Sequence, residues 1–245
     1  MTINEIKKIL PFEGVETYRK YHDKYRKWSN IWRNKYSHRK VIGSCGQAFE
    51  EFMQSNTDIT YENFYYFYIM NIRNIDEIKD IANQYYIEIN SPLSTTIEEC
   101  IKIVILHAVI ETYDGKKYEK DFIQFLKSND FEIKNIPYDD DFLRGIDIFS
   151  IKNEQQYLIQ IKPISFFISN REDCIRDRID AINKRKKALE KYPNSHYMFS
   201  IYNKKNGQWA STPSGKISWN IDRLIMPNGS CLIDFKNYKY YKDIS

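Results

Sequence analysis

The chain has 245 residues, 42% of them hydrophobic and 29% charged, and a net charge of +4. This composition describes a soluble globular protein that can bury a real core, as one large domain or two small ones, and its charge alone singles out no partner. It speaks against a membrane span: the most apolar run, Ile101 to Ile110, is too short and carries Lys102 and His107. MTINEIKKILPFEG lacks the apolar stretch and cleavage site of a leader, and Cys45, Cys100, Cys174 and Cys231 show neither CxxC nor zinc-finger spacing. Reduced cysteines and a cytoplasmic location are therefore expected.

Charge is unevenly placed along the chain. Val15 to Lys40 holds nine Lys or Arg against Glu16 and Asp23, a basic stretch of the kind that meets nucleic acid. Within it Tyr18, Tyr21, Tyr25, Trp28 and Trp32 recur at steps of three and four, which predicts a helix with its rings on one face. Two readings stay open: a core stripe with a solvated basic flank, or rings and arginines laid along a nucleic-acid backbone. Asn63 to Ile89 predicts two more helices, interrupted at Ser91-Pro92. Thr95 and Glu98 form a capping-box pattern opening an apolar, buried helix from Ile97 to about Thr112. Asp114-Gly115 is expected to break it. A second helix from Lys116 to Lys127 then places Tyr118, Phe122, Phe125 and Leu126 on one face, with Glu119 beside them in the first turn.

After Asn129-Asp130 the period becomes strand-like, over Phe131 to Ile136, Ile146 to Ile151 and Tyr157 to Lys162. A helix follows from about Arg171 to Lys191, then a strand from His196 to Tyr202; Trp209, Trp219 and Leu232 to Phe235 are possible strand elements in the tail. Helix, strand, strand, strand, helix, strand predicts an α/β or α+β core with a central mixed sheet flanked by helices. The expected division is a helical region over 1–94 and a sheet-bearing domain over 95–245.

The stretch Gly145 to Pro163, GIDIFSIKNEQQYLIQIKP, carries the chemistry. A turn over Lys152 to Gln155 makes it a hairpin, and antiparallel pairing brings Asp147 alongside Gln160. Residues two apart share a strand face, so Gln160 and Lys162 point one way and Ile159 and Ile161 the other, into the core. Asp147 and the Gln160 amide oxygen are suited to a hard cation such as Mg²⁺, and Lys162 to orienting or deprotonating an attacking water and steadying phosphate charge. Phosphodiester hydrolysis needs this combination. The histidines His22, His38, His107 and His196 have no partner at ligand spacing.

An acid on one strand followed by acid-x-Lys on the next resembles the PD-(D/E)XK nuclease superfamily, best known from type II restriction endonucleases. Asp147 matches the first acid, Lys162 the lysine, and Gln160 stands where most members carry a carboxylate. Glu119, in GKKYEKDFIQFLKSNDF, matches the glutamate often found on the helix before the sheet. TYDGKKYEKDF, DDDFLRGID and QIKP further resemble the MjaI-like restriction enzymes, and RKVIGSCGQAFEEF echoes an N-terminal segment of that family. The resemblance implies a PD-(D/E)XK core and Mg²⁺-dependent cleavage of double-stranded DNA, with Mn²⁺ able to substitute. It implies a homodimer with one active site per strand, a CTAG-like target, and a cognate DNA methyltransferase as functional partner. It also implies that Asp147, Gln160, Glu119 and the Ile161 backbone carbonyl hold the metal, with Lys162 activating water.

The Asp139-Asp140-Asp141 run reads as a solvated loop, or as a source of the negative charge that Gln160 lacks. Candidate DNA contacts are Lys116, Arg144, Ser169, Asn170, Arg171 and Arg176, of which Ser169, Asn170 and Arg171 stand in the segment after Pro163 as base or backbone readers. Alternatives are a repair or junction-resolving nuclease of the same fold, and a non-catalytic nucleic-acid-binding protein.

Overall fold

The computed structural model describes residues 2–25, 45–93, 95–137, 140, 143–163, 166, 172–202, 204–205, 208–209, 224–225 and 231–234. The chain divides between Tyr118 and Glu119 into two compact units. No helix among the described residues is long and apolar enough to cross a membrane.

The first unit is helical. Helices α1 (Ile3–Ile9), α2 (Val15–Arg19), α3 (Cys45–Ser55), α4 (Tyr61–Asn71), α5 (Ile75–Leu93) and α6 (Ile97–Ile105) lead through a π-helical turn, Leu106–Glu111, into α7 (Thr112–Lys127). Thr2 caps α1 in a reciprocal box with Glu5, and Thr60 caps α4 through the Asn63 N–H, each satisfying donors that the first turn leaves unpaired. Helix α4 buries Phe64, Tyr65, Tyr66, Tyr68 and Ile69, so it is embedded on most sides. Phe49 meets the edges of Phe64 and Tyr113 with ring centroids 5.0 and 5.4 Å apart. Burying a ring of this size contributes about 1.5–3 kcal/mol.

Tyr18 is buried here, and Tyr21 and Tyr25 pack against the same core. For these three rings the core-stripe reading holds; Trp28 and Trp32 lie outside the described residues. The capping box of α6 is Thr96 with Glu99, one residue later than expected, because Thr96 is the residue with extended backbone. Helix α5 runs through Ser91-Pro92 and stops at Leu93. The crowding that proline imposes on the residue before it thus falls in the last turn, where the helix is ending anyway.

Asp114-Gly115 also fails to break its helix. The Asp114 carboxylate accepts hydrogen bonds from Arg19 Nη2 at 3.0 Å and from the Tyr61 hydroxyl at 2.5 Å. Those partners occupy the side chain that would otherwise compete for nearby backbone groups and favour a turn. Glu119 therefore lies inside a continuing helix, and the first-turn dipole that would favour a solvated glutamate there does not apply.

The second unit is α+β. Strands β1 (Glu132–Lys134), β2 (Ile148–Lys152) and β3 (Gln155–Pro163) form an antiparallel meander; α8 (Glu172–Lys191) then crosses to β4 (Ser195–Tyr202), parallel to β3. A separate ribbon pairs β5 (Lys204–Lys205) with β6 (Gln208–Trp209). Two short strands, β7 (Leu224–Ile225) and β8 (Cys231–Asp234), extend the sheet beyond β4 in the order β1-β2-β3-β4-β8-β7. The sheet is thus mixed, as the sequence order requires, and a parallel neighbour demands a crossover such as α8. Of the tail elements expected as strands, Trp209 and Leu232–Asp234 are in strands, while Trp219 and Phe235 lie outside the described residues.

The pairing Ile148↔Ile159 and Lys152↔Gln155 fixes the hairpin. Asn153 and Glu154, both at positive φ (50° and 64°), make its two-residue turn, which is the turn whose twist matches paired strands. Cross-strand neighbours share a face, so Phe149, Leu158, Gln160 and Lys162 lie with Tyr197, Phe199 and Ile201. Leu158, Tyr197, Phe199 and Ile201 form one core with Ala181 and Ala188 of α8. The face carrying Gln160 and Lys162 is consequently the face that α8 covers.

Candidate active site on the hairpin

Asp147 is fastened to β3 on both sides of Gln160. Its N–H donates to the Ile159 carbonyl at 2.9 Å, and its Oδ2 accepts from the Ile161 N–H at 2.5 Å. In an extended strand the N–H and C=O of one residue point to the same edge, as the double exchange in a hydrogen-bonded pair requires. The Ile161 carbonyl is therefore directed to the edge where Asp147 stands, one position before the first residue of β2.

Gln160 departs from expectation in burial. Alternation presents its face openly, but Gln160 is 4% exposed, because α8 lies over it. Its Oε1 is buried and has no hydrogen-bond partner among the described residues. A buried amide oxygen in that state costs roughly 1–3 kcal/mol unless something binds it. Ile161, expected in the core, is only half-buried. Lys162 is half-buried too, with its Nζ 5.6 Å from the centroid of the Phe166 ring. Phe166 is held in turn by Arg178 of α8, whose Nη1 donates to its carbonyl at 2.7 Å.

Asp140 is the residue that reading the sequence misplaces. It is not solvated: it is 1% exposed, and its carboxylate accepts from Arg144 Nη1 at 2.7 Å, Lys191 Nζ at 2.8 Å and the Tyr192 hydroxyl at 2.6 Å. Burial by itself raises a carboxyl's pKa, but the Lys191 and Tyr192 hydrogen bonds and the Arg144 charge outweigh it and hold Asp140 below the ordinary value. Asp140 ties the end of α8 to the loop that delivers Asp147. The signal available in the sequence is Arg144, four residues on; Lys191 and Tyr192 are too distant to suggest themselves. Asp139 and Asp141 lie outside the described residues.

The remaining candidates lie on other segments of the chain. Glu119 is half-buried within α7. Lys116 belongs to the first unit, where its Nζ lies 3.5 Å from Glu50 Oε1. Arg144 is engaged by Asp140, and Arg176 is exposed on α8. Ser169, Asn170 and Arg171 lie outside the described residues. Among the described residues no group of three or more His, Cys, Asp or Glu side chains is placed to hold a metal ion. A cation at the hairpin would rest on Asp147, the Gln160 amide oxygen and the Ile161 carbonyl, with Glu119 of α7 the further carboxylate that the sequence pattern offers. Oxygen donors with several retained waters suit Mg²⁺, and the unsatisfied Gln160 Oε1 fits that role. Compared with known proteins, the chain matches no family model, no curated protein and no solved structure.

Proposed function

We propose that this chain is a type II restriction endonuclease of the PD-(D/E)XK kind, hydrolysing double-stranded DNA with Mg²⁺ as a homodimer. The observation that carries the reading is the clamped Asp147 astride a buried Gln160 whose amide oxygen has no hydrogen-bond partner among the described residues. A polar oxygen under a helix is disfavoured by folding, and a cation ligand is a chemical reason to keep it there. Helix, antiparallel meander, helix and parallel strand also support the reading, with the acid one position before β2 and Gln-x-Lys on the neighbouring β3.

Asp147, Gln160 Oε1, the Ile161 carbonyl and Glu119 would hold the cation, which when bound supplies Lewis acidity at a phosphate oxygen. Lys162 orients the attacking water and meets the negative charge that develops on the phosphoryl group. The Phe166 ring beside its ammonium, held through Arg178, limits where Lys162 can reach. The exposed Arg176, Lys186 and Lys187 of α8 give the same unit phosphate contacts that carry no sequence preference. The helical first unit assists DNA clamping or dimerisation.

The test is incubation of the purified chain with phage and plasmid DNA in Mg²⁺, with EDTA and Lys162→Ala as controls. Discrete fragments that vanish in both controls are expected. Intact DNA in Mg²⁺ and in Mn²⁺, with binding retained, would instead favour the non-catalytic nucleic-acid-binding reading.

A further inference from the structure

Gly145 lies two residues before Asp147 in the left-handed region, at φ 60°, where L side chains are disfavoured. The space around it is as restrictive as its backbone. A Cβ at this position would stand 2.4 Å from Gln160 Nε2, 3.3 Å from Gln160 Cδ and 3.2 Å from Lys184 Cδ. Lys184 is a long side chain that can swing aside. Gln160 is 4% exposed and has little room to yield.

The glycine itself is held in place. The Tyr197 hydroxyl, from β4, donates to the Gly145 carbonyl at 2.9 Å, and the neighbouring Ile146 N–H donates to the Asp140 carbonyl at 3.1 Å. Two residues on, Asp147 is bound to Ile159 and Ile161. One short segment therefore both delivers the carboxylate and abuts the amide. Because the Gln160 nitrogen packs against Gly145, its oxygen is turned the other way, and that oxygen is the atom without a hydrogen-bond partner among the described residues.

We propose, on the reading of the hairpin as a cation site, that Gly145 is a positioning residue that sets the direction of the Gln160 amide, with Tyr197 holding the glycine at its station. Asp147 and Gln160 are then aligned by a single backbone segment. Sequence-adjacent Arg-Gly-x-Asp is the local signature of that device here.

The experiment is a double-mutant cycle read by Mn²⁺ binding, using electron paramagnetic resonance of the free ion and the full-length chain without DNA. Wild type is expected to bind, and Gly145→Ala to weaken binding by about tenfold, the loss typical of disturbing a ligand's support. In a Gln160→Ala background, where a Cβ at 145 has no amide to meet, Gly145→Ala is expected to change nothing further. Equal weakening in both backgrounds would assign the effect to backbone strain alone and overturn the proposal. Equal Mn²⁺ binding by wild type and Gly145→Ala would overturn it while leaving the cation site standing. No Mn²⁺ binding by wild type would remove the cation site and the proposal with it. Should Gly145→Ala not fold, Tyr197→Phe enters the same cycle, with a smaller loss expected that again disappears without the Gln160 side chain.

Discussion

The tyrosine-pinned loops of the helical unit and the hairpin of the sheet unit treat buried polar atoms differently, although Arg73 Nε of the helical unit is also buried without a hydrogen-bond partner among the described residues. In the helical unit, tyrosine hydroxyls tie down backbone: Tyr65 donates to the Leu10 carbonyl at 3.0 Å and Tyr113 to the Ile59 carbonyl at 2.6 Å. The Phe12 and Glu13 N–H groups donate to the hydroxyls of Tyr66 and Tyr18. These four hydroxyls pin loops to helices, so each of their rings brings its own satisfied polar atom into the core. In the sheet unit the Gln160 amide oxygen and the Ser150 hydroxyl are buried without hydrogen-bond partners among the described residues. Polar groups spent on the fold mark a scaffold, and of those left unspent Gln160 Oε1 is the one for which we propose a ligand.

That contrast can be broken first at Lys162. Lys162→Ala is expected to lower DNA cleavage by roughly a hundred- to ten-thousand-fold while leaving the melting temperature nearly unchanged; a normal cleavage rate would end the proposed mechanism. Next comes Asp140, a polar group of the sheet unit that is fully spent on structure. Asp140→Ala should cost about 2–3 kcal/mol, measured by urea unfolding. Because its carboxyl is held below the ordinary 3.8, the stabilisation is complete above that pH and fades as the pH falls through the lowered folded value. Lys191 is shifted upward by the same pair from 10.5, so the contribution also fades at alkaline pH, above the ordinary lysine value. A wild type and variant whose stabilities differ by the same amount at pH 3 and pH 7 would contradict the pairing.

The sharpest comparison sets Gln160 against Tyr65. Gln160→Leu should raise stability by about 1 kcal/mol, since an unsatisfied oxygen is replaced by hydrocarbon, and should abolish cleavage. Tyr65→Phe should lower stability by about 1 kcal/mol, because the Leu10 carbonyl loses its donor. Stabilities moving in the same direction would erase the distinction between the two side chains. The smallest effect is expected at Gly115, a glycine within α7 where an added methyl would have nothing within 4 Å. Gly115→Ala should stabilise by a little under ~1 kcal/mol.

What the sequence disclosed was local. The hairpin followed from alternation around a polar turn, and α8 and β4 from a change of period, because these signals lie within a few residues of one another. What it concealed was tertiary. Asp114-Gly115 reads as a break until Arg19 and Tyr61 arrive, from 95 and 53 residues away. Asp140 reads as solvent-facing until Lys191, 51 residues on, reaches it. The Asp147, Gln160 and Lys162 constellation was visible as spacing, but the burial of Gln160 and the part of Gly145 were not. Both depend on α8 closing over the sheet face, which periodicity does not report.

The hairpin also carries a lesson in time. Its two-residue turn lets β2 and β3 meet on the scale of about 1–10 μs, whereas β4 joins β3 only after α8 has been laid down between them, a costlier loop closure. Asp147 and Gln160 therefore become neighbours early in folding, as an open and hydrated pair. The environment proposed to make them a site arrives with a later long-range closure, one that Asp140 and Lys191 fasten, and a chain caught before that moment would have the proposed ligands in line and no chemistry.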